Sequence, residues 1–360
     1  MDDNADTAEF EAVDEAPKPK FGKQQIIATA ITLIVLVIVF VVVLPQFGDY
    51  SEAWKAIQNM EAYQIGLILI ATVGLIIIYV TPYLAALPGL RFKPAFYTRQ
   101  TSFMISNVIP GGGAWGLAVQ FGMLSTYGVR AAPATATIGI TSVWNTLVTL
   151  SLPVVALTAL AVTGQSTSDQ LLATAIAFVV VVLMIGLFVL ILRSEEYARK
   201  VGRFGNKLIA AAGKLIRRDL DIDAVDAIVE FRRSIVDVVL DRWFLITISN
   251  VGQQLAQFFI LYLAVVALQG GFDGPVTLGE AFAAFSFGRL ATFIPVPPGG
   301  LGTTDAIINA MLTSFGMPNN DALAATLVWR AMTYFPQVII GTITMLLWRR
   351  DRNKATQAAT

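Results

Sequence analysis

Arg289, Asp305 and Arg330 are the residues whose types and spacing point to chemistry. All three lie in strongly apolar sequence, where a charge costs about 2.5–3.5 kcal/mol at the centre of a spanning helix, so they must pair with one another or face water. A guanidinium is a planar fork that suits phosphate or carboxylate. One use of the set is therefore to bind an anionic group. The other is an ion pair of Asp305 with Arg330 or Arg289 that staples two segments together. Both uses are compatible, because one Arg then remains for a ligand. Asp305 is also the buried proton carrier that this stretch offers. Glu280, at the start of the same apolar stretch, reads as solvated.

These charges flank an unusual segment that occurs twice. Pro110-Gly111-Gly112 is followed after ten residues by Met123-Leu124-Ser125-Thr126-Tyr127-Gly128-Val129. From Pro110 to Pro298 is 188 positions, and there Pro298-Gly299-Gly300 is followed after ten residues by Met311-Leu312-Thr313-Ser314-Phe315-Gly316-Met317. Helix-breaking turns at matching places in two halves point to a transporter built from structural repeats, with its site where helices are interrupted. Backbone freed at such turns must sit in protein or line a wet cavity. Helix N-termini after Gly112 and Gly300 would aim amide N–H groups there, and such ends bind anions. Gly302 and Asp305 follow the second turn. The first copy has no matching charges within it and offers Ser102, Asn107, Trp115 and Gln120, with Trp144 and Asn145 beyond.

The elements that must hold these residues are set by composition. With 56% hydrophobic and 14% charged residues and a mean hydropathy of 0.67, the chain is too apolar for a soluble domain and reads as an all-α polytopic membrane protein. It has no Cys and no His, which excludes disulfides, thiol catalysis, His-based acid-base chemistry and Cys or His metal sites. No cofactor is expected, and no GxxxxGK[ST] loop is present to bind ATP.

Residues 1 to 25 read as a disordered cytoplasmic tail, not a signal peptide. Apolar runs at about 26 to 44, 63 to 82, 131 to 155, 171 to 192, 243 to 268 and 322 to 347 predict six spanning helices. Lys and Arg crowd the tail (Lys18, Lys20, Lys23), a loop at 83 to 99 (Arg91, Lys93, Arg99), the segment 193 to 242 and the C-terminus, while the loops near 45 to 62, 163 to 170, 269 to 277 and 317 to 320 hold only Lys55 between them. The positive-inside rule places the basic parts, and both termini, in the cytoplasm. Segment 100 to 128 then has to enter and leave on the cytoplasmic side, and segment 278 to 316 on the outer side. The expectation is two oppositely oriented re-entrant helical hairpins, an inverted repeat of the kind that favours alternating access. The transmembrane domain runs from 26 to 350, with a cytoplasmic tail from 351 to 360.

Asn250, Gln253, Gln254 and Gln257 fall on one helical stripe, where they either glue helices together or line the path. The cytoplasmic insertion 193 to 242 predicts two helices, about 195 to 216 and 222 to 241. The first is basic enough to lie on an anionic leaflet. The acidic cluster between them lacks the glycine and terminal glutamate of a calcium loop and reads as a helix N-cap.

The segment Asn107-Val-Ile-Pro-Gly-Gly-Gly113, and the block from Phe287-Gly288-Arg289 through Pro298-Gly299-Gly300-Leu301-Gly302 to Asp305 and then Arg330, resemble the flippase-like family, the transmembrane region of lysylphosphatidylglycerol synthases and its stand-alone relatives. The resemblance covers roughly residues 25 to 350. It implies a multi-pass protein of the cell membrane that moves phospholipid or lipid-linked molecules between leaflets. It maps Arg289, Pro298, Gly299, Gly300, Gly302, Asp305 and Arg330 onto the family pattern, whose acidic position is often Glu. No soluble aminoacyl-transfer domain is expected after 350, so synthesis of lysylphosphatidylglycerol, or other enzyme activity, is not. The expected substrate site is Arg289, Arg330, Asp305, Gly111, Gly112, Gly299, Gly300, Gly302 and Asn107. Expected partners are a membrane phospholipid or polyprenyl-linked lipid, anionic leaflet lipids at 193 to 242 and a cytoplasmic transferase, with no nucleic acid. The alternatives are an intramembrane lipid-phosphate enzyme of the polyprenyl-diphosphate phosphatase kind, and a membrane scaffold that docks a cytoplasmic transferase.

Overall fold

A computed structural model describes residues 49 to 109, 112 to 162, 168 to 216, 223 to 293 and 300 to 359. The tail, the span expected at 26 to 44, Pro110, Gly111, Pro298, Gly299 and most of the acidic cluster lie outside these residues. Every regular element among the described residues is helical: α1 (Tyr50–Gln58), α2 (Ala62–Ile78), α3 (Thr81–Ala86), α4 (Phe92–Val108), α5 (Gly112–Thr126), α6 (Ala131–Val162), α7 (Ser168–Arg193), α8 (Glu195–Ile216), α9 (Ala224–Leu268), α10 (Leu278–Leu290), α11 (Thr303–Ser314) and α12 (Asn319–Ala359). Four stretches are long and apolar enough to cross a membrane: Ala62–Ala86, Ala131–Val162, Ala224–Leu268 and Asn319–Arg352. Large apolar side chains such as Ile70, Leu183, Phe335 and Ile339 stand exposed along α2, α7 and α12, a surface that only hydrocarbon makes comfortable.

Two expectations change. The cytoplasmic helix of 222 to 241 and the span of 243 to 268 are one helix, α9, of 45 residues. No Pro or Gly interrupts residues 224 to 251, so charge density changes along α9 while the hydrogen-bond ladder continues. The basic loop at 83 to 99 is also largely helical. It holds α3 and the first half of α4, and Pro94 in the first turn marks where α4 starts.

The α9 helix is the hub, packing against α2, α3, α6, α8 and α12. Its C-terminal half puts Phe258, Leu261, Ala264 and Val265 into one buried cluster with Leu75 of α2, Ala281 and Phe285 of α10, Ile308 and Leu312 of α11, and Trp329 of α12. In lipid there is little hydrophobic gain from bringing helices together, so close backbone approach and hydrogen bonds carry the association. A Cβ at Gly288 of α10 would lie 2.5 Å from Ile308 Cγ1 of α11, and one at Gly112 or Gly116 of α5 would press on Ile105 or Ser106 of α4. The two helices of each pair therefore meet through glycine. Gly341 of α12 does the same against Gln100 and Met104 of α4, beside a 2.9 Å contact between the Thr101 and Thr344 hydroxyls. Gly341→Val is expected to cost about 1–3 kcal/mol by overpacking, read as a lower melting midpoint in detergent. An unchanged midpoint would show that the α4–α12 seam is looser than described.

The helix α8 is tied to α9 electrostatically. Glu195 accepts from both Arg199 and Arg233, and these hydrogen bonds hold its carboxyl below the usual value of 4.5. A lowered folded-state pKa means the tie is complete above about pH 4.5 and is lost as pH falls through the depressed value. Amide exchange in α8 is expected to rise at that acid edge and to rise already at pH 7 in Glu195→Gln. Asp223 caps α9 by accepting from the Val225 amide at 2.8 Å, as the N-cap reading of this residue anticipates.

Candidate functional site

The site is built from the interrupted elements. The pairs α4–α5 and α10–α11 each consist of two short helices packed on one another, joined across the Pro-Gly-Gly segments. Their broken ends, with faces of α2, α6, α9 and α12, enclose a polar cavity of about 470 Å³. Its lining includes Arg99, Asn107, Gly113 and Gln120 from the first pair, Arg289 and Thr292 from the second, Asn145 and Thr149 of α6, Asn250, Gln253 and Gln257 of α9, and Gln337 of α12. No carboxylate is among these residues, so the cavity carries two guanidinium charges with no counter-ion in its walls.

The three charges that the sequence brings forward divide. Arg330 and Asp305 make a two-pronged pair, with Nε donating to Oδ1 at 2.7 Å and Nη2 to Oδ2 at 2.9 Å. Their side chains are only 13% and 3% exposed. Asp305 Oδ2 also accepts from the Gly302 amide at 2.7 Å, and Gly302 reaches that position at φ 83, where a side chain would be strained. The carboxylate therefore occupies the N-terminus of α11. The remaining Arg330 reach goes to the Gly300 carbonyl at 3.4 Å. Arg330 pins α12 to α11 and is not in the cavity lining.

Arg289 is the charge left over. It makes no hydrogen bond or ion pair among the described residues, and its Nε is buried without a partner. A buried donor without a partner costs about 1–3 kcal/mol, more when charged, which calls for an acceptor from a ligand or from water in the cavity. Asn107, at the end of α4, donates to the Phe103 carbonyl at 2.8 Å, and its own carbonyl accepts from the Tyr334 hydroxyl of α12 at 2.6 Å. Gly112 opens α5 in a buried position, and Gly111 and Gly299 lie outside the described residues.

Arg99 is the site residue that sequence reasoning places elsewhere, in a cytoplasmic loop. On α4 it enters the cavity, stacked on Tyr79 and Tyr83 with its guanidinium carbon 4.3 and 4.9 Å from their ring centroids. It donates to the Tyr79 carbonyl and to Gln253 Oε1, both at 3.3 Å. The signal that locates it is Pro94, since a helix starting at 92 carries Arg99 two turns inward. The amide stripe of α9 also divides. Asn250, Gln253 and Gln257 line the cavity. Gln254 instead glues α9 to α6 by donating to Asn145 at 3.0 Å and Thr149 at 3.1 Å.

A multi-pass, all-helical membrane protein with a cationic, carboxylate-free cavity between two interrupted helix pairs is thus the class that fold and site define. Within that class the family is settled by comparison. A family model, the lysylphosphatidylglycerol synthase TM region, matches residues 25–341, and the chain belongs to that family. No curated protein matches the chain.

Proposed function

We propose that this protein carries a phospholipid or lipid-linked molecule between leaflets, with the head group in the polar cavity and the acyl chains in surrounding lipid. The observation that carries the reading is Arg289, half-buried, with its Nε buried and without a partner among the described residues, lining the cavity with Arg99. Such a pair of forks suits a phosphate, which offers several acceptor oxygens, and amides and hydroxyls around it suit the rest of a polar head group. Arg330 and Asp305 act one layer back, holding α11 and α12 in place. The two Pro-Gly-Gly pairs act as re-entrant hairpins of opposite orientation, and rocking of one against the other exposes the cavity to alternate sides. The setting is the plasma membrane with both termini cytoplasmic, and the basic residues of α8 rest on the anionic inner surface.

The lining favours binding over metal-assisted hydrolysis, because a lipid-diphosphate phosphatase needs carboxylates for a metal, or a nucleophile, beside its Arg residues. Purified protein in vesicles is expected to speed transbilayer movement of labelled phospholipids or polyprenyl phosphates. No movement of either class by folded protein would overturn the proposal, and capture of one stoichiometric transferase in its place would favour the docking scaffold.

A further inference from the structure

Helices α6 and α9 present a second face, away from the polar cavity, to an apolar groove of about 1060 Å³. Trp144, Leu147 and Val148 of α6, with Phe188 of α7, form much of its wall, and Val239 and Leu240 of α9 continue it. Gln254, bonded to Asn145 and Thr149, sits on the seam between the two concavities. The groove follows α9 from Arg232 to Leu255, about 34 Å at a helical rise of about 1.5 Å per residue. That exceeds the acyl layer of one leaflet, about half of a hydrocarbon core of roughly 30 Å.

One end of this groove is charged. Arg232 uses its Nε to hold the last carbonyls of α7, Ile191 at 3.0 Å and Leu192 at 3.1 Å, and its terminal nitrogens make no hydrogen bond among the described residues. Arg193 lines the same end and makes no hydrogen bond or ion pair among the described residues. The acids nearest in sequence are Glu195, already engaged by Arg199 and Arg233, and Glu230, which forms no ion pair with either Arg among the described residues. Two guanidinium groups without counter-ions at the end of a long apolar wall match the polarity profile of one kind of molecule. We propose that the groove is a binding site for a two-chain anionic phospholipid, with its phosphate on Arg193 and Arg232 and its acyl chains along α9.

Charge argues against the apolar run 26 to 44 of this chain as the occupant, because the charges that directly adjoin it are Lys18, Lys20 and Lys23, with the acids of the tail no nearer than Glu15, and these would bring like charge to the Arg end. The site stands apart from the polar cavity, since it shares no lining residue with it, so its test does not depend on transport.

The test places a photo-reactive phenylalanine analogue at Leu240, which is exposed and about 12 Å along α9 from Arg232 at about 1.5 Å per residue. The full chain is reconstituted in bilayers of equal anionic and zwitterionic diacyl phospholipid and irradiated, and adduct masses are read. Anionic lipid is expected to be enriched about fivefold over the bilayer ratio, the equivalent of about 1 kcal/mol for a basic side chain at an anionic surface. Arg193→Gln, at an exposed position without a partner to lose, is expected to bring adducts back toward the bilayer ratio, and Arg289→Gln to leave them unchanged. Adducts that mirror the bilayer ratio in the parent protein, or that join residues 26 to 44 or a second copy, overturn the proposal.

Discussion

Arg289→Gln is expected to reduce lipid movement at least about thirtyfold while leaving the protein folded and as stable as before. The size follows from the group removed. Deleting one partner of a buried, hydrogen-bonded charge pair costs about 2–5 kcal/mol, and every 1.4 kcal/mol is about a factor of ten. The sparing of stability follows from the environment. Arg289 has no partner to lose among the described residues, and its Nε is buried without an acceptor, so the empty protein bears a desolvation cost that glutamine relieves. Arg289→Lys is expected to fall between, because an ammonium keeps the charge and lacks the fork. Arg99→Gln is expected to lower movement as well, and also to loosen the stack on Tyr79 and Tyr83, worth about 0.5–2 kcal/mol. The checks are initial transport rates in vesicles beside melting midpoints in detergent. Wild-type rates in well-folded Arg289→Gln protein would sink the assignment of the head-group site.

How far the sequence reveals this arrangement depends on whether a feature is periodic or three-dimensional. Four of the six apolar runs, at 63 to 82, 131 to 155, 243 to 268 and 322 to 347, announce the four stretches long and apolar enough to cross a membrane, and the duplicated Pro-Gly-Gly segments announce the two interrupted pairs, because hydrophobicity and helix breaking are local properties. The continuity of α9 is hidden by a local signal of the wrong kind: Arg232, Arg233 and Arg242 mark a change of solvent along the helix, not an end to it. Arg99 is hidden for a similar reason. Charge near Arg91 and Lys93 reads as a loop, yet Arg91 caps α4, which runs on through Lys93 and turns Arg99 inward. Which Arg pairs with Asp305 is a question of distance alone. The sequence leaves Arg289 and Arg330 equivalent, and only the packing of α11 on α12 separates them.

That separation predicts opposite behaviour for the second Arg. Asp305→Asn or Arg330→Gln is expected to destabilise the protein by about 3–5 kcal/mol, because each leaves an uncompensated charge where both partners were buried. Asp305→Asn has a further cost, since it removes the carboxylate that accepts from the Gly302 amide and neutralises the start of α11. The double variant Asp305→Asn/Arg330→Gln is expected to recover much of the loss, because no charge is then buried and the two amides can meet across the same gap. Transport in all three should follow the folded fraction, in contrast to Arg289→Gln, where rate falls and folding does not. A double-mutant cycle on melting midpoints, with rates scaled to folded protein, separates the two roles. Full stability in Arg330→Gln with loss of transport would move Arg330 from the supporting layer into the head-group site, and would mean that its bond to Asp305 opens when lipid binds.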